Sequence, residues 1–347
     1  MENINESGTF KPIVEIKDIE DFRPPTDTTT YGDRRDGLIY KYPDPAKLAI
    51  NIALATGRPL LILGETGCGK SSLAFNLARV MKRRYYEFVV TSRSQARDLF
   101  YRYDAVRRLG DSQLGRNVDK RSGEAFQACD FAWQTSFPYI EPSSLWWIFD
   151  QAGAANRGCS DVNVLSQIQK AKDPGVYPKV SPDASSVLLI DEIDKADPDF
   201  PNNLLVPLGS RQFTVEEIAT TIAIDSSKLS DEPLNQPLII ITSNQQRELP
   251  DTFLRRCIVL KIPPPTKDQL VELAEITFGT RTDQLYETIV DILQPPSDEN
   301  LNSVKSSVEL SSAEYLDAVQ AIIKLNASEF EDIKKITKSI SWRSKES

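Results

Sequence analysis

The chain has 347 residues, 41 of them Lys or Arg and 50 Asp or Glu, giving a net charge of −9, and 40% are hydrophobic. That is an ordinary globular composition, long enough to bury a core without disulfides or metals, and its acidic balance argues against a generally basic nucleic-acid-binding surface. The count of histidines is 0, which excludes Ser-His-Asp and Cys-His nucleophilic sites and any His-ligated metal.

Residues 1–42 are polar, with prolines at Pro12, Pro24 and Pro25, and read as a loosely structured arm or short docking element. Asp44 to Arg58 reads as a helix with Leu48, Ala49, Ile52 and Ala53 on its apolar face, Asp44 as N-cap and Pro45 in its first turn. Pro59 to Leu63 is a short apolar strand running into a glycine-rich loop. Ser71 to Arg83 follows with helical periodicity, and Tyr86 to Ser92 is the next strand, so the order is that of a βαβ unit.

Between Arg93 and Pro182 the pattern weakens. Arg107, Arg108, Arg116, Lys120 and Arg121 cluster in a stretch that reads as a solvated loop, with a pore-facing or nucleic-acid-facing loop as the alternative. Ser143 to Gly153 reads as a helix burying Trp146 and Trp147. Val187 to Ile190, Leu238 to Thr242 and Cys257 to Ile262 are apolar runs without alternation, expected as strands covered on both faces. After Pro263, Pro264 and Pro265 the character changes to amphipathic helices. The expected layout is an arm (1–42), an α/β domain with a parallel sheet and helices on both faces (43–265), a small all-helical domain (266–325) and a flexible tail (326–347).

The four cysteines, Cys68, Cys129, Cys159 and Cys257, form no CxxC pair, so zinc is not expected. Scattered thiols behind a polar start fit a reducing, cytoplasmic setting. No apolar stretch approaches the roughly 20 residues of a membrane helix.

The strongest chemical signal is Gly64-Glu65-Thr66-Gly67-Cys68-Gly69-Lys70-Ser71, a full match to G-x-x-x-x-G-K-[ST] between a strand and a helix, with Ser72 next in line. Glycines there let backbone N–H groups turn toward phosphate oxygens, and the helix start adds its dipole. Lys70 suits the β- and γ-phosphates of ATP and Ser71 suits Mg²⁺. Next, the strand Val187 to Ile190 delivers Asp191 and Glu192 at its carboxyl end, where open α/β sheets bind ligands. Asp191 suits the metal and Glu192 the attacking water. Asp194 and Lys195 read as surface or intersubunit polar residues. A third strand ends in Thr242-Ser243-Asn244, where Asn244 could bond a γ-phosphate and the water or simply terminate a turn. Finally Leu249 to Cys257 is a short helix ending in Arg255 and Arg256, either surface charge or an arginine finger for a neighbouring subunit's phosphate.

These motifs in this order, followed by a helical lid, resemble the AAA+ ATPases, and the stretches DAVRRLGDSQLG and LPDTFLRRC resemble the MoxR branch. The resemblance spans Tyr40 to Leu325. It implies that Lys70 and Ser71 are Walker A, Asp191 and Glu192 are Walker B, Asn244 is sensor 1, and Arg256 rather than Arg255 is the finger. It further implies a homo-oligomeric ring, expected as a hexamer, that remodels a client protein, often with a partner carrying a von Willebrand factor A domain. Nucleic acid and membrane are not expected partners. Alternatives are a slow nucleotide switch gating a defence effector, a DNA-remodelling AAA+ protein and, last, a small-molecule kinase. One departure stands out: ELSSAEYLDAV lacks the basic sensor 2 residue, and Lys305 is the nearest upstream base.

Overall fold

A computed structural model describes residues 12–14, 40–117, 135–166, 168–175, 185–224, 235–280, 284–294, 310–325 and 330–340. In chain order the elements open with α1 (Asp44–Thr56), β1 (Leu60–Leu63), α2 (Lys70–Val80), β2 (Arg84–Val89), β3 (Tyr101–Tyr103), α3 (Ala105–Asn117) and β4 (Ile140–Pro142). They continue with α4 (Ser144–Phe149), α5 (Gln151–Ala155), α6 (Val162–Leu165), β5 (Ser186–Asp191), α7 (Asp199–Ser210), β6 (Gln212–Val215), β7 (Thr220–Ala223), β8 (Leu238–Ser243), α8 (Asp251–Leu254) and β9 (Ile258–Lys261). Four helices close the chain: α9 (Lys267–Phe278), α10 (Leu285–Leu293), α11 (Ser312–Lys324) and α12 (Phe330–Ile340).

Five strands form a parallel sheet of order β2-β5-β8-β1-β9. Its register sets Val89 beside Asp191 and Ile190 beside Ile241. All six residues of β5 are buried, as a strand covered on both faces requires. The sequence reading missed two small antiparallel ladders, β3 with β4 and β6 with β7; their strands of three or four residues are too short for a period-two pattern to register.

The chain divides into two compact units. One draws on Met1–Glu15, Lys47–Leu61 and Ala78–Val259, the other on Ile16–Ala46, Ile62–Leu77 and Leu260–Ser347. In the first, Trp146, buried with Trp147, stacks edge-on with Tyr101 and Phe213. The expected single helix over 143–153 is two, because Asp150 leaves the helical region and caps α5 through Gly153 N–H at 2.9 Å. On α1 the buried face is Ala46, Ala49, Ile50, Ala53 and Leu54, while Leu48 and Ile52 are exposed. The expected stripe was therefore offset by about one position around the helix. Beside it, buried Asn51 accepts from the Val14 N–H at 2.9 Å and donates back to its carbonyl at 3.4 Å. Arg107 and Arg108 sit on α3 rather than in a loop, with Arg107 over the Tyr139 ring. The Arg116 side chain, Lys120, Arg121, Cys129 and Lys305 lie outside what is described.

In the second unit the helical lid buries Leu270, Ala274, Tyr286, Ile289, Tyr315, Val319 and Ile322. Capping boxes at Thr266/Gln269 and Ser311/Glu314 fix the starts of α9 and α11. The expected flexible tail needs correction. Helix α12 occupies Phe330–Ile340 and buries Ile333 in the lid core and Thr337 beside it. Its apolar residues Ile333, Ile336 and Ile340 recur at helical spacing, a signal the polar ending SWRSKES obscured.

Candidate functional site

The phosphate loop leaves β1 at Gly64 and enters α2 at Lys70. Gly67 and Gly69 have φ of 83° and 89°, a region open to glycine at no steric cost. Both also stand against neighbours. A Cβ on Gly67 would lie 2.6 Å from the Ser311 Cβ, and one on Gly69 would lie 3.2 Å from the Tyr40 ring. Ser311 is the N-cap of lid helix α11, so the start of that helix stands against the loop at Gly67. Tyr42 and Lys41 tie the segment before α1 into the same unit. Tyr42 donates to Asn76 of α2 at 2.6 Å, and Lys41 pairs with Glu272 of α9.

Lys70 is only 5% exposed, and its ammonium is held inside the loop, donating to the Gly64 carbonyl at 2.9 Å and the Glu65 carbonyl at 2.6 Å. A buried ammonium needs acceptors; here they are neutral, so phosphate oxygens would offer the stronger, charge-assisted bonds. The Cys68 sulfur lies 3.9 Å from the same nitrogen. Burial pushes the Cys68 thiol pKa up, and the Lys70 ammonium pulls part of that back. Burial likewise raises the Tyr40 hydroxyl, with Cys68 adding to it.

In the other unit the carboxyl ends of β5 and β8 hold a connected set of polar groups. Asp191 is 1% exposed and accepts from the Thr242 hydroxyl at 2.5 Å. The same hydroxyl oxygen accepts from the Glu192 N–H at 2.8 Å. Glu192 sits at φ 61°, ψ 49°, a left-handed turn that a residue with a side chain adopts at a cost of about 1–3 kcal/mol. Its carboxylate receives the Asn244 amide at 3.0 Å on Oε1 and the Lys195 ammonium at 2.5 Å on Oε2.

Asp194, expected on the surface, is buried instead. Its two oxygens accept the Asn244 N–H at 3.1 Å and the Gln246 N–H at 3.0 Å. It thereby fixes the turn that presents Asn244. Thr242 and Asp194 both escaped the sequence reading. The available signal was a hydroxyl two residues before Asn244 and an acid three after Asp191, and each gains meaning only when β5 and β8 are known to be neighbours.

Arg255 and Arg256 follow α8 with exposed side chains that make no ion pair with a described residue. Their carbonyls are gripped by one guanidinium: Arg58 donates Nε to Arg256 O at 3.2 Å and a terminal nitrogen to Arg255 O. The turn is therefore fixed while both arginine side chains point outward.

A phosphate-cradling loop after the first strand and acids closing a buried parallel strand define an α/β nucleotide-binding protein of the P-loop class. Residues 59–257, more than half of the chain, match the model of the AAA domain family (dynein-related subfamily), and the protein belongs to that family. No curated protein sequence matches the chain. Among solved structures, a point mutant of RuvB from Thermotoga maritima is 12% identical, with 85% of this chain and 68% of that one covered and a TM-score of 0.42. The structure titled Thermotoga maritima RuvB Holliday junction branch migration motor is also 12% identical, with 84% and 66% covered and a TM-score of 0.38. Among the described residues no helix is long and apolar enough to cross a membrane.

Proposed function

We propose that the chain hydrolyses Mg-ATP and uses the energy to remodel or activate a partner protein, as a homo-oligomeric ring of the MoxR-like branch. The observation that carries the hydrolytic reading is the Glu192 carboxylate bonded to the Asn244 amide at 3.0 Å, at the ends of two paired buried strands in a family of nucleotide-driven proteins. In this reading Gly64 to Ser72 bind the triphosphate, and Lys70 exchanges the carbonyls of Gly64 and Glu65 for phosphate oxygens. Glu192 orients water and takes its proton, Asn244 fixes Glu192 and the water, and Arg256 reaches a neighbouring subunit's nucleotide.

The donor chemistry fits magnesium. Ser71 and Asp191 offer oxygen only, the ligand type that ion takes together with nucleotide phosphates. When bound it would supply positive charge to offset that of the triphosphate. Ser71 and Asp191 are the residues that would hold it.

The test is Glu192→Gln, which keeps the amide contacts and removes the base. ATP affinity should stay within about twofold and turnover should fall by roughly 10²–10⁴. Wild-type turnover in that variant removes Glu192 from the chemistry. The net charge of −9 supports a protein client over nucleic acid. A DNA affinity that falls steeply with salt would replace the client by DNA, and a single slow turnover with effector release would replace the motor by a switch.

A further inference from the structure

Within the turn after β5, Glu192 and Lys195 are three residues apart, Glu192 preceding a single turn of 3₁₀ helix, Ile193–Lys195, and Lys195 ending it. Glu192 itself is left-handed and takes the N-cap position of that turn. Its 2.5 Å ion pair with Lys195 occupies Oε2, while Asn244 occupies Oε1. Between them lies Asp194, buried and bonded to the backbone of residues 244 and 246. The turn is therefore anchored at its centre, and the backbone that carries Asn244 is held in place. The two partners differ in kind. Asn244 is a neutral amide on an anchored backbone, whereas Lys195 is a cation on a flexible stem, exposed over 42% of its side chain.

We propose that Lys195 is a brake on Glu192: its ammonium competes with the attacking water for the carboxylate oxygen that must take the proton, and hydrolysis proceeds from the population in which that pair is open. The proposal rests on the hydrolytic role of Glu192. Partial exposure limits its size, since half-exposed ion pairs are weak and salt-screened. The brake holds turnover down by about two- to fivefold, equivalent to roughly 0.4–1 kcal/mol. Anything that draws Lys195 away, such as a neighbouring subunit's carboxylate or an acidic segment of a partner, would raise turnover without touching the nucleotide.

The experiment compares full-length wild type with Lys195→Met, Lys195→Arg and Glu192→Gln in steady-state Mg-ATP hydrolysis. Affinity for a fluorescent ATP analogue is measured in parallel as a check on folding. Lys195→Met is expected to raise kcat about two- to fivefold with KM unchanged, and Lys195→Arg to restore the wild-type rate. Raising ionic strength from about 50 to 300 mM should lift wild type toward Lys195→Met and leave that variant unmoved. Carbodiimide coupling of Lys195 to Glu192, read as loss of one water by mass spectrometry, reports the pair independently of activity. A kcat in Lys195→Met equal to or below wild type, while Glu192→Gln is inactive, overturns the brake alone. Wild-type turnover in Glu192→Gln overturns the hydrolytic reading and the brake with it.

Discussion

The phosphate loop and the carboxyl ends of β5 and β8 solve the same problem, holding charge in a buried place, by different routes. The loop does it with consecutive residues. Lys70 is satisfied by carbonyls of Gly64 and Glu65, six and five positions away. At the strand ends three of the bonds join residues about fifty positions apart: Thr242 with Asp191, Asn244 with Glu192, Asn244 with Asp194. A local site can be read from spacing; a site assembled across strands cannot be read until the strand order is known.

The sharpest way to separate the two regions is to remove the cation from the first. Lys70→Ala should weaken ATP binding by roughly 100-fold, the upper range for a charge-assisted contact of about 3 kcal/mol. The fold should survive, because only the Gly64 carbonyl is left behind in a buried place, while Glu65 at the loop mouth is exposed. Equilibrium binding of a fluorescent nucleotide checks this, and affinity within threefold of wild type would take Lys70 out of phosphate recognition.

Asp194→Ala attacks the second region through its anchor. It strips the partner from two backbone N–H groups, at Asn244 and Gln246. Each orphaned group costs about 1–3 kcal/mol if buried, and Asn244 is freed to drift from Glu192. Stability should fall by about 2 kcal/mol, and kcat by about tenfold with ATP affinity kept. Denaturant titration and steady-state kinetics read the two effects separately. An unchanged kcat would mean that Asn244 is placed by β8 alone.

The difference in legibility follows from this contrast. The phosphate loop, Asp191, Glu192 and the parallel sheet were readable because an apolar strand, a glycine turn and a helix are contiguous patterns. The lid helices were readable by periodicity. Asp194 was misread because an acid in DEIDK looks solvated until β8 is laid beside β5. Lys195 is exposed as expected, but its pairing with Glu192 was not legible, because a left-handed Glu192 cannot be inferred from a residue type that rarely adopts it. The stripe on α1 was misjudged because amphipathic patterns fix a helix's period better than which face its neighbours cover, and helix α12 because the polar ending masked its apolar spacing.

A smaller effect probes the lid contact. Gly67→Ala places a methyl group 2.6 Å from the Ser311 Cβ and demands a left-handed conformation of an L-residue. The backbone cost alone is about 1–2 kcal/mol, and the contact with Ser311 must open by several tenths of an ångström or more. Thermal unfolding should shift down by a few degrees. Adding Ser311→Gly should recover the part due to contact but not the part due to φ. Full recovery would place all of the cost in the lid contact, and no recovery would place it all in the backbone.

The smallest expected effect concerns Cys68, the half-buried thiol of the loop. Burial raises its pKa and the Lys70 ammonium lowers it, with burial the larger cause. Among the described residues the other thiols, Cys159 and Cys257, are buried, and burial pushes Cys257 up to about 12. The thiolate is the reactive form, so Cys68 should alkylate a fewfold more slowly than an unfolded cysteine at pH 7.5, with the rate rising as pH climbs past the ordinary thiol value. The linkage has a definite sign. A raised folded-state pKa means the folded loop holds its proton more tightly than the unfolded chain. The associated stability is complete below the unfolded thiol value and is lost as pH rises through the folded one. Removing the ammonium in Lys70→Ala deletes the opposing cause, so the alkylation profile should move further to alkaline pH; a move to lower pH would show that Lys70 does not act on the thiol. The sulfur that carries the adduct lies 3.9 Å from the Lys70 nitrogen proposed to bind phosphate, and nucleotide affinity should fall together with the fraction alkylated.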